Sequence, residues 1–120
     1  MSGRRWLITG CSTGIGREIA QKVLANGDRA AVTARSKAAV DDLATAYPDT
    51  ALALALDVTR GEQVKAAVRA ALEAFGGIDV LVNNAGYGYM AALEEGEDAE
   101  VRKLFDTNFF GVVDLIKAVL

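Results

Sequence analysis

Short apolar runs alternate along this chain with longer stretches in which apolar residues recur three and four positions apart. The first run, Arg5-Trp6-Leu7-Ile8, reads as a strand, and Ile15, Ile19, Val23 and Leu24 follow at helical spacing up to a stop at Asn26-Gly27. Ala30-Ala31-Val32-Thr33-Ala34 reads as a second, buried strand ending at Arg35. Ser36 is placed to cap a helix that carries Val40, Leu43, Ala44 and Tyr47 and stops at Pro48. The third run, Ala51-Leu52-Ala53-Leu54-Ala55-Leu56, is apolar on both faces, as expected of a strand covered by helices on both sides, and ends at Asp57. Thr59-Arg60-Gly61-Glu62 has the Thr-x-x-Glu form of a capping box, ahead of a regular stripe of Val64, Ala67, Val68, Ala71, Leu72 and Phe75. Gly76-Gly77 closes that helix, Ile78-Asp79-Val80-Leu81-Val82 forms a fourth strand, residues 83–96 form a loop, and a last helix is expected from about Asp98 to Leu120.

Strand and helix in repeated alternation predict an α/β fold with a parallel, doubly wound sheet. Right-handed crossovers give the strand order 3-2-1-4, so the sheet reverses its direction of growth between strands 1 and 4. Ligands of such sheets bind in the crevice at the reversal. The two loops that open there are the glycine loop after strand 1 and Asn83-Asn84-Ala85-Gly86 after strand 4.

Composition narrows the classes without choosing among them. A length of 120 residues suits one domain, 52% hydrophobic and 24% charged residues suit a packed core, and no linker, repeat or low-complexity tract interrupts it. Thirteen basic and sixteen acidic residues give a net charge of −3 with no long run of either sign, which argues against nucleic acid as a partner. With one cysteine and no histidine, the chain offers no intrachain disulfide, no His/Cys metal site and no histidine base. Cys11 reads as a small loop residue. The apolar stretch after Arg4-Arg5 is too short for a secretory signal and no run is long enough to span a bilayer, so a reducing cytoplasm is the expected location.

The stretch from Thr9 to Glu18 carries Gly10, Gly14 and Gly16 as Gly-x-x-x-Gly-x-Gly between an apolar strand and an amphipathic helix. Bare glycines let the main chain approach an anion, and the helix start contributes partial positive charge and free N–H groups, the requirements of a pyrophosphate cradle. An ordinary glycine-rich turn has the same local spacing.

Four markers in order, Thr9-Gly10-x-x-x-Gly14-Ile15-Gly16, Asp57-Val58, Asn83-Asn84-Ala85-Gly86 and Asn108-x-x-Gly111, resemble the short-chain dehydrogenase/reductase family along the whole chain. The resemblance implies a Rossmann-like dinucleotide-binding domain over residues 1–120, the N-terminal half of an oxidoreductase that moves hydride between nicotinamide and an alcohol or carbonyl substrate. It implies that the main chain of Gly10, Ser12, Thr13, Gly14, Ile15 and Gly16 holds the pyrophosphate, and that Asp57 and the backbone of Val58 meet the adenine. Asparagines of the Asn83-Asn84 pair would tie strand ends together, while Ala85 and Gly86 leave room beside the nicotinamide ribose. An asparagine pair in a tight turn and a capping aspartate are the plainer readings of the same residues.

Ala34-Arg35 stands where an acid would bind the ribose 2′-hydroxyl of NAD, so NADP(H) is expected over NAD(H). One charge-assisted contact contributes about 1.5–3 kcal/mol, roughly ten- to a hundredfold in affinity. Thr13 lies where NADP-preferring relatives often carry a second basic residue, which tempers the expected preference. Arg35 as a solvated strand-end charge is the alternative.

On the last helix, Val101, Leu104, Phe105, Asn108, Val112, Leu115, Ile116 and Val119 lie along one stripe, and the amide of Asn108 within it requires hydrogen-bond partners. The resemblance implies that Asn108 perturbs the helix and positions a water in the proton relay; a plain tie between helix and loop is the alternative. A second apolar row, Phe109, Val113, Ile116 and Leu120, calls for a further packing partner, and the resemblance implies a homo-oligomer through this helix.

The family's Ser and Tyr-x-x-x-Lys are missing: Tyr47, Tyr87 and Tyr89 are followed four places on by Ala51, Ala91 and Leu93. Tyr87 and Tyr89 are expected to line or cover the cleft, and the 120 residues alone to turn over little. A nucleotide-binding or regulatory module without catalysis is the competing reading. A phosphoacceptor domain fits less well, because Leu7-Ile8-Thr9-Gly10 offers no acid after the first strand. Residues 84–88 and 105–111 look most like bacterial relatives of retinol and hydroxysteroid dehydrogenases, which hints at a hydrophobic alcohol or ketone.

Overall fold

The computed structural model describes residues 3–120. Four parallel strands, β1 (Arg5–Ile8), β2 (Arg29–Ala34), β3 (Ala51–Ala55) and β4 (Val80–Val82), form one sheet in the order β3-β2-β1-β4, as expected. Leu7 pairs in register with Ala31 on one side and Leu81 on the other. Helices α1 (Gly14–Ala25), α2 (Asp41–Ala46) and α3 (Gly61–Phe75) connect the strands, and α4 (Asp98–Phe105) and α5 (Gly111–Val119) follow β4.

The strands alternate between two cores because successive side chains point to opposite faces. Ile8, Ala30 and Val32 pack with Ala20, Val23 and Leu24 of α1 and with Val40 and Leu43. Leu7 and Ala31 pack on the other face with Val64, Ala67, Val68 and Ala71 of α3 and with Leu115 of α5. Complete burial of a side chain such as Leu7 or Val32 contributes about 1.5–3 kcal/mol, and the two central strands supply six residues with no exposed surface, five of them apolar. Arg5 clamps β1 to the approach of β4: its Nε and Nη2 donate to the two carboxylate oxygens of Asp79, each at 2.9 Å. Those bonds hold the Asp79 carboxyl well below the usual carboxylate range.

Three local expectations change. The helix after Ser36 is split into a 3₁₀ turn (Lys37–Ala39) and the short α2, and the Ser36 side chain makes no capping bond. The Thr-x-x-Glu box does not form: α3 starts at Gly61 with Arg60 as its cap, while the Thr59 hydroxyl donates to Asp57 Oδ1 at 2.6 Å. The Thr59 amide and hydroxyl both donate to the Asp57 carboxylate, which holds Thr59 in a side-chain turn ahead of the helix and leaves Arg60 in the cap position. The stripe on the last helix is mostly uncovered, with Val101, Phe105 and Ile116 exposed and only Gly111 and Leu115 buried between Asp98 and Val119.

No helix among the described residues is long and apolar enough to cross a membrane.

Candidate functional site

At the carboxyl ends of the strands lies a cleft of about 370 Å³, lined on one side by Gly10, Ser12, Thr13, Ala34, Arg35, Asp57, Val58 and Thr59 and on the other by residues following β4. It sits over the point where the sheet reverses direction, with β2 and β4 flanking β1.

The floor is a side-chain tie between the two loops. Thr9, 1% exposed, accepts the N–H groups of both Asn84 and Ala85 on its hydroxyl oxygen at 3.0 Å. Asn84 Nδ2 returns a bond to the Gly10 carbonyl at 3.1 Å. Gly16 is needed for this closeness: a Cβ there would stand 2.2 Å from the Gly10 oxygen and 2.3 Å from Asn84 Nδ2. Gly14 is needed for another reason, its φ of +64° in open space. Beneath the loop, the Cys11 thiol is buried and its pKa pushed up to about 11 by that burial, so it remains an unreactive thiol at neutral pH.

The start of α1 is unusually bare. Thr13 makes no side-chain cap, the first turn has no acid, and the N–H groups of Ser12, Thr13, Gly14 and Ile15 have no acceptor among the described residues. Unsatisfied donors at a helix start beside a cleft suit an anion, and the glycines supply the clearance, so the residues present fit a dinucleotide diphosphate.

Asp57 is tied in place from both ends. Its N–H donates to Gln63 Oε1 at 2.8 Å, and its Oδ1 accepts the N–H and hydroxyl of Thr59. The Thr59 hydroxyl, followed by the Thr59 amide and the nearby Arg60 and Arg35 charges, lowers the Asp57 pKa against the opposing effect of desolvation. The carboxylate is therefore ionised and purely an acceptor at neutral pH, with Oδ2 left for a ligand donor.

The other wall holds Asn84, Ala85, Gly86 and Tyr87. Asn108 sits in a π turn (Asp106–Phe110) that joins α4 to α5 in one continuous helical run, so the helix is perturbed where the asparagine stands. Its amide is paired twice with the main chain of Tyr87: Oδ1 accepts from the N–H at 3.1 Å and Nδ2 donates to the carbonyl at 2.6 Å. A Cβ on Gly86 would lie 2.9 Å from Asn108 Oδ1, and one on Gly111 2.8 Å from Val58 Cγ2. Both marker glycines thus let the last helix approach the cleft.

Of the residues expected at the site, Gly10, Ser12, Thr13, Arg35, Asp57, Val58, Asn84, Ala85 and Gly86 line the cleft, while Gly14, Ile15 and Gly16 form the adjoining first turn of α1. Asn83 does not line it; its Oδ1 is buried without a hydrogen-bond partner among the described residues. Tyr87 lines the cleft, whereas the Tyr89 hydroxyl accepts the Glu97 N–H and braces the start of α4. Lys103, Asp106 and Thr107 also line the cleft and escaped sequence reasoning. Their spacing of three and four placed them on one helix face, but charged helix residues read as solvated surface.

A family model described as short chain dehydrogenase matches residues 4–120. Among solved structures, a short-chain dehydrogenase from Streptomyces avermitilis is 46% identical with a TM-score of 0.95, covering 99% of this chain and 43% of that one. An alcohol dehydrogenase from Thermococcus sibiricus complexed with 5-hydroxy-NADP is 34% identical with a TM-score of 0.93, covering 98% of this chain and 52% of that one. A 3-ketoacyl-(acyl-carrier-protein) reductase from Brucella melitensis complexed with NADH is 35% identical with a TM-score of 0.93, covering 99% of this chain and 50% of that one. The chain spans between 39% and 50% of the length of the curated relatives it matches.

Proposed function

The chain belongs to the short-chain dehydrogenase family, and we propose that it forms the dinucleotide-binding half of an alcohol or carbonyl oxidoreductase that takes NADP(H) in preference to NAD(H). The observation that carries this reading is the bare start of α1, four N–H groups without acceptors among the described residues, opening beside Arg35 and the ionised Asp57 in one cleft. In the proposed arrangement the Gly10–Gly16 main chain holds the diphosphate. Asp57 and the Val58 backbone take the adenine amine, and Arg35 takes the 2′-phosphate. Ala85 and Gly86 border the nicotinamide ribose.

A nicotinamide cofactor bound there supplies or accepts the hydride. Asn108, already holding Tyr87 from the π turn, is assigned to positioning water near the reacting end, and Tyr87 to covering it. None of the three tyrosines has a lysine four residues on, so the proton donor is assigned to groups outside these 120 residues. The reading extends to a hydrophobic alcohol or ketone as substrate, and to a second copy of the protein packing on the uncovered apolar row of α4 and α5. A module that binds nucleotide without catalysis would share the same cleft, and absence of carbonyl reduction by the intact protein would favour it.

The test is Arg35→Asp. It is expected to weaken NADPH at least about tenfold while sparing NADH in a fluorescence titration, since one charge-assisted contact is lost and a repulsion added. Equal loss for both cofactors would contradict the assignment of Arg35 to the 2′ position.

A further inference from the structure

The cleft is lined by two cations that come from different parts of the fold, Arg35 after β2 and Lys103 on α4, from either side of β1. The carboxylates lining it are Asp57, whose Oδ1 is occupied by Thr59, and Asp106. Lys103 has no obvious structural task. No carboxylate lies within 4 Å of its ammonium among the described residues, although Glu100 and Asp106 stand three residues away on either side. A lysine in the last turn of a helix often offsets the dipole of the helix end. That explanation fails here because α4 passes into the π turn and α5 without a break, Asp106 keeping helical angles of −58° and −39°. An unpaired ammonium is therefore held at a cleft whose proposed ligand is a polyanion.

Resting on the dinucleotide reading above, we propose that Lys103 is a nucleotide-binding residue serving the adenosine diphosphate portion common to NADP(H) and NAD(H). Arg35 then serves the 2′ position that distinguishes them. The division of labour follows from the walls: Arg35 adjoins the end of β2, where the 2′ group is expected, while Lys103 approaches from beyond β1 on the face shared with Asp106 and Thr107. A lysine suits this task as a mobile point charge on a flexible stem, attracting phosphate without demanding one geometry. It also supplies a second cation to a cleft whose glycine loop carries Thr13 rather than a basic residue.

The experiment measures Kd for ADP, NADH and NADPH by calorimetry at two salt concentrations with the wild-type protein, Lys103→Met, Lys103→Arg and Arg35→Asp. Lys103→Met is expected to weaken all three ligands by a similar factor, about three- to tenfold at low salt and less at high salt, as for one partly screened charge. Lys103→Arg is expected to restore most of the affinity, and Arg35→Asp to act on NADPH alone. Because Lys103 is exposed, thermal melting should be unchanged by either substitution at 103. Unchanged affinity for ADP and NADH in Lys103→Met, or a loss confined to NADPH, would overturn the proposal while leaving the dinucleotide site intact. Failure of the wild-type protein to bind any of the three ligands would overturn the dinucleotide reading itself.

Discussion

The two walls of the cleft are built to different standards. Under the first, which carries the glycine loop, Leu7, Ile8, Ala30, Ala31 and Val32 have no exposed surface, and Cys11 and Thr33 are equally buried. Under the second, every residue of β4 is only half-buried and α4 contains no buried residue, while Phe105, Phe109 and Phe110 are each more than half exposed. The first wall is held by packing. The second is held by a few polar ties: Thr9 to Asn84 and Ala85, Asn108 to Tyr87, and Tyr89 to Glu97. A close-packed floor fixes main-chain amides within a fraction of an ångström, which an anion cradle needs. A wall held by a few hydrogen bonds can shift at small cost.

This difference is open to attack at single residues. The largest effect is expected of Gly16→Val, which drives a branched side chain into the Gly10 carbonyl and the Asn84 amide. Overpacking of this kind costs about 1–3 kcal/mol or more, and displacement of the Gly10 carbonyl spoils the cradle itself. Gly16→Val should therefore lower the melting temperature and remove detectable NADPH binding; retention of both would show that the first wall is softer than its packing implies. Asn108→Ala should act more gently. It removes two hydrogen bonds at an exposed position, a loss of about 1 kcal/mol, and should loosen the 86–88 segment in hydrogen exchange while leaving ADP affinity within about twofold. A large loss of ADP affinity in Asn108→Ala would mean that the walls are coupled and the contrast is false.

The first wall was also the more legible in sequence. Its strands are apolar apart from Arg5, Arg29 and Thr33, and its glycines are demanded by contacts or angles that other residues meet only with strain, so their spacing was legible. The strand order followed from the alternation of elements and the handedness of crossovers. Legibility failed at Thr59, which the Thr-x-x-Glu pattern marks as a cap: its amide and hydroxyl both donate to Asp57 Oδ1, the hydroxyl at 2.6 Å, in a local turn, and α3 starts one residue later than the pattern implies, with Arg60 as its cap. It failed again on the last helix, where periodicity identifies an apolar stripe without saying what covers it. Lys103 was invisible for a related reason, since a charge on a helix face announces a cleft only once the opposite wall is in place. The tie from Thr9 to the Asn84 loop joins residues 75 positions apart, a separation that local pattern cannot bridge.

The most direct measurement is an amide-resolved NMR titration of the protein with NADPH. Saturable shifts should be largest at Ser12, Thr13, Gly14 and Ile15, whose N–H groups lack acceptors among the described residues, with a second group at Asp57 and Val58. Binding that leaves the Ser12–Ile15 amides unmoved would contradict the assignment of the diphosphate to the start of α1, and the proposed function with it.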